Sequence, residues 1–244
     1  MISTFKSQIL GNNVIVDLKA DLSAYIHIPF CATKCLYCDF NTYSGIESIM
    51  SDYVKAVGEE ISIWGEVVET QSLKSIFFGG GTPSYLPIGE FEYLINLLRK
   101  SFDIADNAEI TIEANPEDVS ELKSKKWLEL GVNRVSLGIQ SLDDNILVNL
   151  GRRHSSDKAI MSFEMLRKVG FENLSVDLMF GLPNQTKKHW YDSLTRIIKL
   201  SPDHLSLYGL QIEKGTPLEV AVDRKELPMP DDDLAADMYE KAVD

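Results

Sequence analysis

Cys31, Cys35 and Cys38 stand in one short C-x3-C-x2-C turn and are the only cysteines of the 244-residue chain. They follow an apolar run over residues 24–30 that reads as a strand. Thiolates at this spacing can wrap one [4Fe–4S] cluster, which has four irons and takes four cysteines for full ligation by protein. Three leave one iron open to an outside ligand, as catalytic metal sites keep an unfilled position. Such a cluster would bind a small molecule and act on it. Two other readings use the same residues. A structural zinc site needs a fourth ligand, and His27 would have to turn back from a strand whose alternate residues point to opposite faces. A disulfide with one free thiol asks for an oxidising compartment, and no secretory signal is read at the amino terminus.

The elements that must position these thiols come from apolar periodicity. Short β-rich runs at 24–28, 75–78, 109–113, 134–137, 174–179 and 204–208 alternate with stretches of helical spacing. Phe91, Leu94, Ile95, Leu98 and Phe102 fall on one stripe, Ile160, Phe163, Leu166 and Val169 on a second, and Trp190, Leu194, Ile197 and Ile198 on a third. Ser141 with Asp144 fits a capping box at a helix start. Such alternation implies a parallel sheet with right-handed crossovers. Six units are too few for a closed eight-unit barrel, so the expected fold is α/β, an open, partial (β/α)6 TIM-like barrel, with a doubly wound sheet as the alternative. The expected organisation is an amino-terminal lead over 1–22, a barrel over 23–217, and a linker with the beginning of a truncated carboxyl-terminal domain over 218–244. The acidic stretch 228–244 reads as a turn leading into a helix of that next module.

Composition limits the partners. A net charge of -13 opposes non-specific binding to nucleic acid and to anionic lipid. Arg152, Arg153 and His154 are the one place where a local basic site is expected. No apolar run reaches the ~20 residues of a membrane span, and three clustered thiols suit a reducing cytoplasm.

Every expected strand ends in residues that a bare core does not require. Strand one runs into the cysteines and strand two into GGGTP (79–83), where missing side chains let backbone N–H groups approach an anionic ligand. Strand three ends in EANP (113–116) and strand four in GIQS (138–141). Strand five carries Asp177 and then Gly181, and strand six leads to Tyr208 and Gln211. Asp177, placed between Val176 and Leu178, asks for a partner if buried, and Arg152 is the candidate cation. Chemistry in barrels sits at this end of the strands, so the pattern describes a polar pocket rimmed by the cysteine turn.

These motifs resemble the radical S-adenosylmethionine superfamily and, within it, the anaerobic coproporphyrinogen III oxidase family. The resemblance runs from about 23 to 217 and is carried by YIHIPFC (25–31), Cys35 with Cys38, GGGTP, EANP, GIQS and DLMFGLP (177–183). It implies that Cys31, Cys35 and Cys38 hold a [4Fe–4S] cluster whose fourth iron is open to the amino and carboxylate groups of S-adenosylmethionine. It implies that Gly80, Gly81 and Thr82 cradle the methionyl end. Tyr25, Tyr37, Glu113, Gln140, Arg152, Asp177 and Gln211 align with further contacts to S-adenosylmethionine, some of them to a second molecule of it. In the family, one electron from the reduced cluster splits the sulfonium and yields a 5′-deoxyadenosyl radical.

Two branches differ just after the cluster. The dehydrogenase, which oxidatively decarboxylates two propionates of coproporphyrinogen III to give protoporphyrinogen IX, carries an additional cysteine two residues beyond the last ligand. Here Phe40 stands in that place. Phe40, the early start of the barrel and the run Gly151, Arg152, Arg153, His154 resemble the HemW-like heme chaperone branch, which implies binding of heme and its delivery to a recipient hemoprotein, with a reductant for the cluster. A homodimer is compatible with the resemblance. The branch's His-Asn-x-x-Tyr-Trp heme motif is absent: the four histidines are His27, His154, His189 and His204, and none precedes asparagine. The expectation is that heme is held by a full-length protein of which this chain is the barrel.

Overall fold

Period-2 alternation decides which face each strand buries, and here the two faces differ in kind. In β1 (Leu22–Ile28) the apolar Ile26 and Ile28 are buried while Ser23 and Tyr25 are exposed. In β2 (Ser72–Gly80) and β3 (Asp103–Ala114), Ile76 and Phe78 and then Ile110 and Ile112 are buried. In β4 (Arg134–Gln140) and β5 (Asn173–Phe180), Val135 and Leu137 and then Leu174, Val176 and Leu178 face the same core. β6 (His204–Gly209) follows with Leu205 and Leu207. The opposite positions form the second face: Glu113 from β3, Arg134 and Ser136 from β4, Asp177 from β5, and Ser206 and Tyr208 from β6.

The computed structural model describes residues 22–68 and 72–243; the expected lead over 1–22 falls almost wholly outside them. The six strands are all parallel and pair in chain order, β1-β2-β3-β4-β5-β6. Consecutive order with right-handed crossovers places the connecting helices on one face. A doubly wound sheet would reverse its order part-way, so that alternative falls away and the open TIM-like barrel stands. The helices are α1 (Met50–Val67), α2 (Ile88–Ser101), α3 (Glu121–Glu129), α4 (Asp144–Asn149), α5 (Ser156–Val169), α6 (Lys187–Lys199), α7 (Pro217–Asp223) and α8 (Asp232–Val243). Among the described residues no helix is long and apolar enough to cross a membrane.

Two local expectations change. The stripe on α6 is Trp190, Ser193, Leu194 and Ile197, and Ile198 lies 54% exposed, since 100° per residue carries it off the buried face. The cap of α4 is Asp143, whose carboxylate accepts from Ile146 N at 3.0 Å. Ser141 Oγ accepts from Asp143 N at 3.1 Å, a turn bond one step ahead of the helix. The helix expected in the acidic tail is α8, and it packs back on the barrel. Met238 is fully buried, and its carbonyl accepts from Trp190 Nε1 at 2.8 Å.

Candidate functional site at the strand ends

The cysteine turn is closed at its base by a pair of backbone bonds, Cys31 N to Tyr43 O (2.8 Å) and Tyr43 N to Pro29 O (2.7 Å). The Lys34 ammonium donates to Phe40 O and Thr42 O, pulling the return limb inward. Leu36 N donates to Leu150 O and Leu218 N to Leu36 O, which ties the turn to the end of α4 and the start of α7. His27 fastens the far limb: its Nε2 meets Asn41 O at 2.9 Å and its Nδ1 meets Tyr25 Oη at 3.2 Å. A carbonyl only accepts, so Nε2 carries hydrogen, and Nδ1 engages the Tyr25 hydroxyl. His27 therefore has both ring nitrogens engaged and does not join the thiols.

All three thiols are free, and each has a donor beside it. Thr82 Oγ1 donates to Cys31 Sγ at 3.3 Å, Arg152 Nη1 to Cys35 Sγ at 3.4 Å, and Thr42 Oγ1 lies 3.8 Å from Cys38 Sγ. Burial pushes the Cys31 thiol up; the Thr82 and Thr42 contacts work against that. Among the described residues no three His, Cys, Asp or Glu side chains group as a single metal ion requires. A cluster bonds one iron per thiolate and does not ask that of them.

Gly80 and Gly81 bring the β2 loop against this turn because neither carries a side chain. Gly80 has φ +117°, and a Cβ there would lie 2.6 Å from His27 Nδ1. At Gly81 a Cβ would lie 2.9 Å from Phe30 O and 3.0 Å from Cys31 Sγ, so the loop leaves that space clear beside the thiol. Gly80 N donates to Glu113 Oε2 at 3.1 Å. Burial raises the Glu113 carboxyl to about 7, with the Asp177 charge adding to it and the Gly80 bond opposing. Thr82 Oγ1 also accepts from Asn115 Nδ2 at 3.2 Å, which joins the ends of β2 and β3.

Arg152 is the hub. Its Nη2 donates to Asn115 Oδ1 at 2.6 Å and to Gly138 O at 2.7 Å. Asp177 is thus not paired with Arg152. It accepts from Ser136 Oγ at 3.1 Å, and burial raises its pKa while Ser206, Ser136 and Arg134 pull it back. Nor do Arg152, Arg153 and His154 form an open basic patch, for Arg152 and His154 are turned inward and Arg153 pairs with Glu117 at 3.2 Å. Tyr37 packs with Leu210 on a small apolar cluster of Ile146, Leu150, Met179 and Leu182, and burial drives its hydroxyl pKa upward. Gln140 ends β4 buried at φ +67°, while Gln211 lies exposed beyond β6, apart from this network. Tyr25 is 58% exposed and stacks on Phe77.

The sequence reading named all thirteen of these residues; the structure sets Gln211 apart from the network, and the residues that the reading missed are those that tie the others together. Asn115 lay within a quoted motif, and Lys34 lay between two cysteines, but only folding brings each to its partner. An open hollow of about 730 Å³ lies at the other end of the strands, lined by Phe77, Glu109, Arg134 and His204 among others. No thiol reaches it.

The family model of the Radical SAM superfamily matches residues 25–197. The chain belongs to the Radical SAM superfamily. It is 40% identical over 219 residues to the heme chaperone HemW of Bacillus subtilis, covering 89% of this chain and 58% of that protein. It is 36% identical over 221 residues to HemW of Escherichia coli, covering 90% of this chain and 57% of that one. The chain thus spans somewhat over half the length of these relatives. Its fold superposes on the coproporphyrinogen III oxidase HemN of Escherichia coli with a TM-score of 0.81 at 29% identity, covering 91% of this chain and 51% of that structure. Membership of this superfamily implies S-adenosylmethionine and a [4Fe–4S] cluster as cofactors.

Proposed function

We propose that this chain is the cofactor-binding barrel of a cytoplasmic heme chaperone. Cys31, Cys35 and Cys38 hold the cluster through three irons, and S-adenosylmethionine completes the shell of the fourth. Bound together, the two supply an electron and a sulfonium able to accept it. The protein's own residues bind and orient. Gly80, Gly81 and Thr82 offer a narrow backbone cradle beside Cys31. The buried Arg152 guanidinium suits a carboxylate. Glu113, poised near pH 7, accepts from ribose hydroxyls or an ammonium, and the charge of Asp177 bears on it. Tyr25, Tyr37, Gln140 and Gln211 supply the remaining contacts at the rim.

One observation carries the chaperone reading over the oxidase: Phe40, two residues past Cys38, stands where the oxidative branch has a further cysteine. It is 68% exposed at the tip of the turn and has no thiol to offer chemistry. The names of the relatives from Bacillus subtilis and Escherichia coli support the same choice. The likeness in fold to HemN favours the second reading, a coproporphyrinogen III dehydrogenase. The whole protein, assayed anaerobically with reductant and S-adenosylmethionine, separates them. Stoichiometric heme binding without conversion of coproporphyrinogen III is expected. Conversion to protoporphyrinogen IX at a useful rate would overturn the chaperone assignment.

A further inference from the structure

Arg152 is a largely buried cation, and its buried Nε has no hydrogen-bond partner. Three contacts hold it, to Cys35 Sγ, Asn115 Oδ1 and the Gly138 carbonyl. Only the first of these groups can carry a negative charge, and a buried charge needs compensation. The carboxylate that interacts with Arg152 is Glu117, in the short turn Pro116–Asp118 that follows β3. Glu117 Oε1 lies 3.2 Å from Arg153 Nε, and its Oε2 lies 3.3 Å from His154 Nδ1. The latter two atoms are buried, lie against each other and have no other polar partner. His154 in turn reaches Ile139 O with Nε2 at 3.0 Å. One carboxylate therefore grips the two residues that directly follow Arg152, while His154 hangs the same segment on the end of β4. Burial works to raise the Glu117 carboxyl, yet the His154 contact, its own backbone N–H and the Arg152 charge hold it down at about 2.

We propose that Glu117 is a positioning residue of this site: by gripping Arg153 and His154 it sets the Arg152 guanidinium against Cys35 Sγ and so tunes the cluster. The inference rests on the cluster reading given above. Hydrogen bonds to the ligating sulfurs help set a cluster's potential, and partners behind the ligands alter affinity or activity by roughly ten- to a hundredfold.

The test uses the chain reconstituted anaerobically with iron and sulfide, with redox potentiometry in the absence of S-adenosylmethionine followed by titration with it. Glu117→Gln keeps the size and removes the charge. Losing a nearby negative charge would by itself make the cluster easier to reduce, whereas losing the Arg152 contact makes it harder. The expected result is full iron content, a potential shifted to more negative values, and binding of S-adenosylmethionine weakened about tenfold. Glu117→Asp should fall between Glu117→Gln and the unaltered chain. An unchanged or more positive potential with unaltered affinity overturns the proposal. Should Glu117→Gln take up no cluster, Arg153→Gln reads the same grip from a half-exposed position. A smaller shift in the same direction supports the proposal, and wild-type values overturn it. A wild-type chain that builds no cluster sinks the underlying reading and this one with it. One that does, beside an indistinguishable Glu117→Gln, sinks this one alone.

Discussion

The rim over β1–β4 and the rim over β5–β6 are built differently. Over β1–β4 an unbroken chain of contacts runs from Cys31 through Thr82, Asn115 and Arg152 to Cys35, and Gly80 and Gly81 leave no slack in it. Over β5–β6 that chain does not continue: Met179 and Leu182 are buried in a separate apolar cluster, while beyond them Tyr208 is 54% accessible and Gln211 is exposed. The first half is tied together by the chain's own bonds, which is what a site for a fixed cofactor needs. The second half is where a further molecule would approach.

The sharpest break of that contrast is at the thiols. Replacing Cys31, Cys35 or Cys38 with serine should abolish stoichiometric iron uptake on reconstitution, measured by iron and sulfide analysis; full uptake in any one variant would mean that the turn does not hold the cluster. Next in size is the core beneath the open half. Trp190 is fully buried under β5, and Trp190→Ala should lower the urea-unfolding free energy by about 3–5 kcal/mol. A loss below about 1 kcal/mol would mean that the looseness of the β5–β6 rim extends into the core. Gly81→Ala probes the tight half. Its Cβ has backbone atoms at 2.9 Å, so overpacking should cost about 1–3 kcal/mol and reduce cluster loading; wild-type stability and loading would show room that the structure denies.

A smaller effect is the pH dependence set by Glu113. Its folded pKa, about 7, lies above the ordinary 4.5, so between these values the folded chain keeps a proton that the unfolded chain has lost. The stability from this group is full below pH 4.5 and is lost as pH rises towards 7. Asp177, also raised, adds in the same direction. Glu117 acts oppositely, its contribution present above 4.5 and lost as pH falls towards 2. In cluster-free chain, Glu113→Gln should flatten the decline between pH 4.5 and 7 in urea midpoints; parallel profiles would remove the assignment. Smallest of all, Gln211→Ala should change stability by less than about 0.5 kcal/mol. A larger loss would mean that the β6 rim is held as firmly as the other.

The same contrast explains what could be read in advance. β5 and β6 matched their expected spans to within one residue at either end, whereas β4 runs on to Gln140, three residues past its expected end, because Gly138 and Gln140 still pair with Asp177 and Leu178 of β5. β3 begins six residues earlier than expected, since Asp103, Asp106 and Asn107 carry little strand preference and are held by pairing of Ser72 and Leu73 with Asp103 and Ile104. α1 had no named stripe because Gly58 and Gly65 interrupt its buried face. A Cβ at Gly58 would lie 2.7 Å from Leu97, so the helices touch where an apolar side chain would have signalled. The thiols, the glycine loop and Arg152 were visible as local spacing. Their connections through Asn115 and Glu117 were not, because those depend on strands that meet only in the sheet.

The most direct measurement is the low-temperature electron paramagnetic resonance spectrum of the anaerobically reconstituted, reduced chain, with and without S-adenosylmethionine. A [4Fe–4S] signal that changes on adding it is expected, as its amino and carboxylate groups reach the fourth iron. A cluster signal identical in both samples, or one equivalent of zinc in place of iron, would contradict the account.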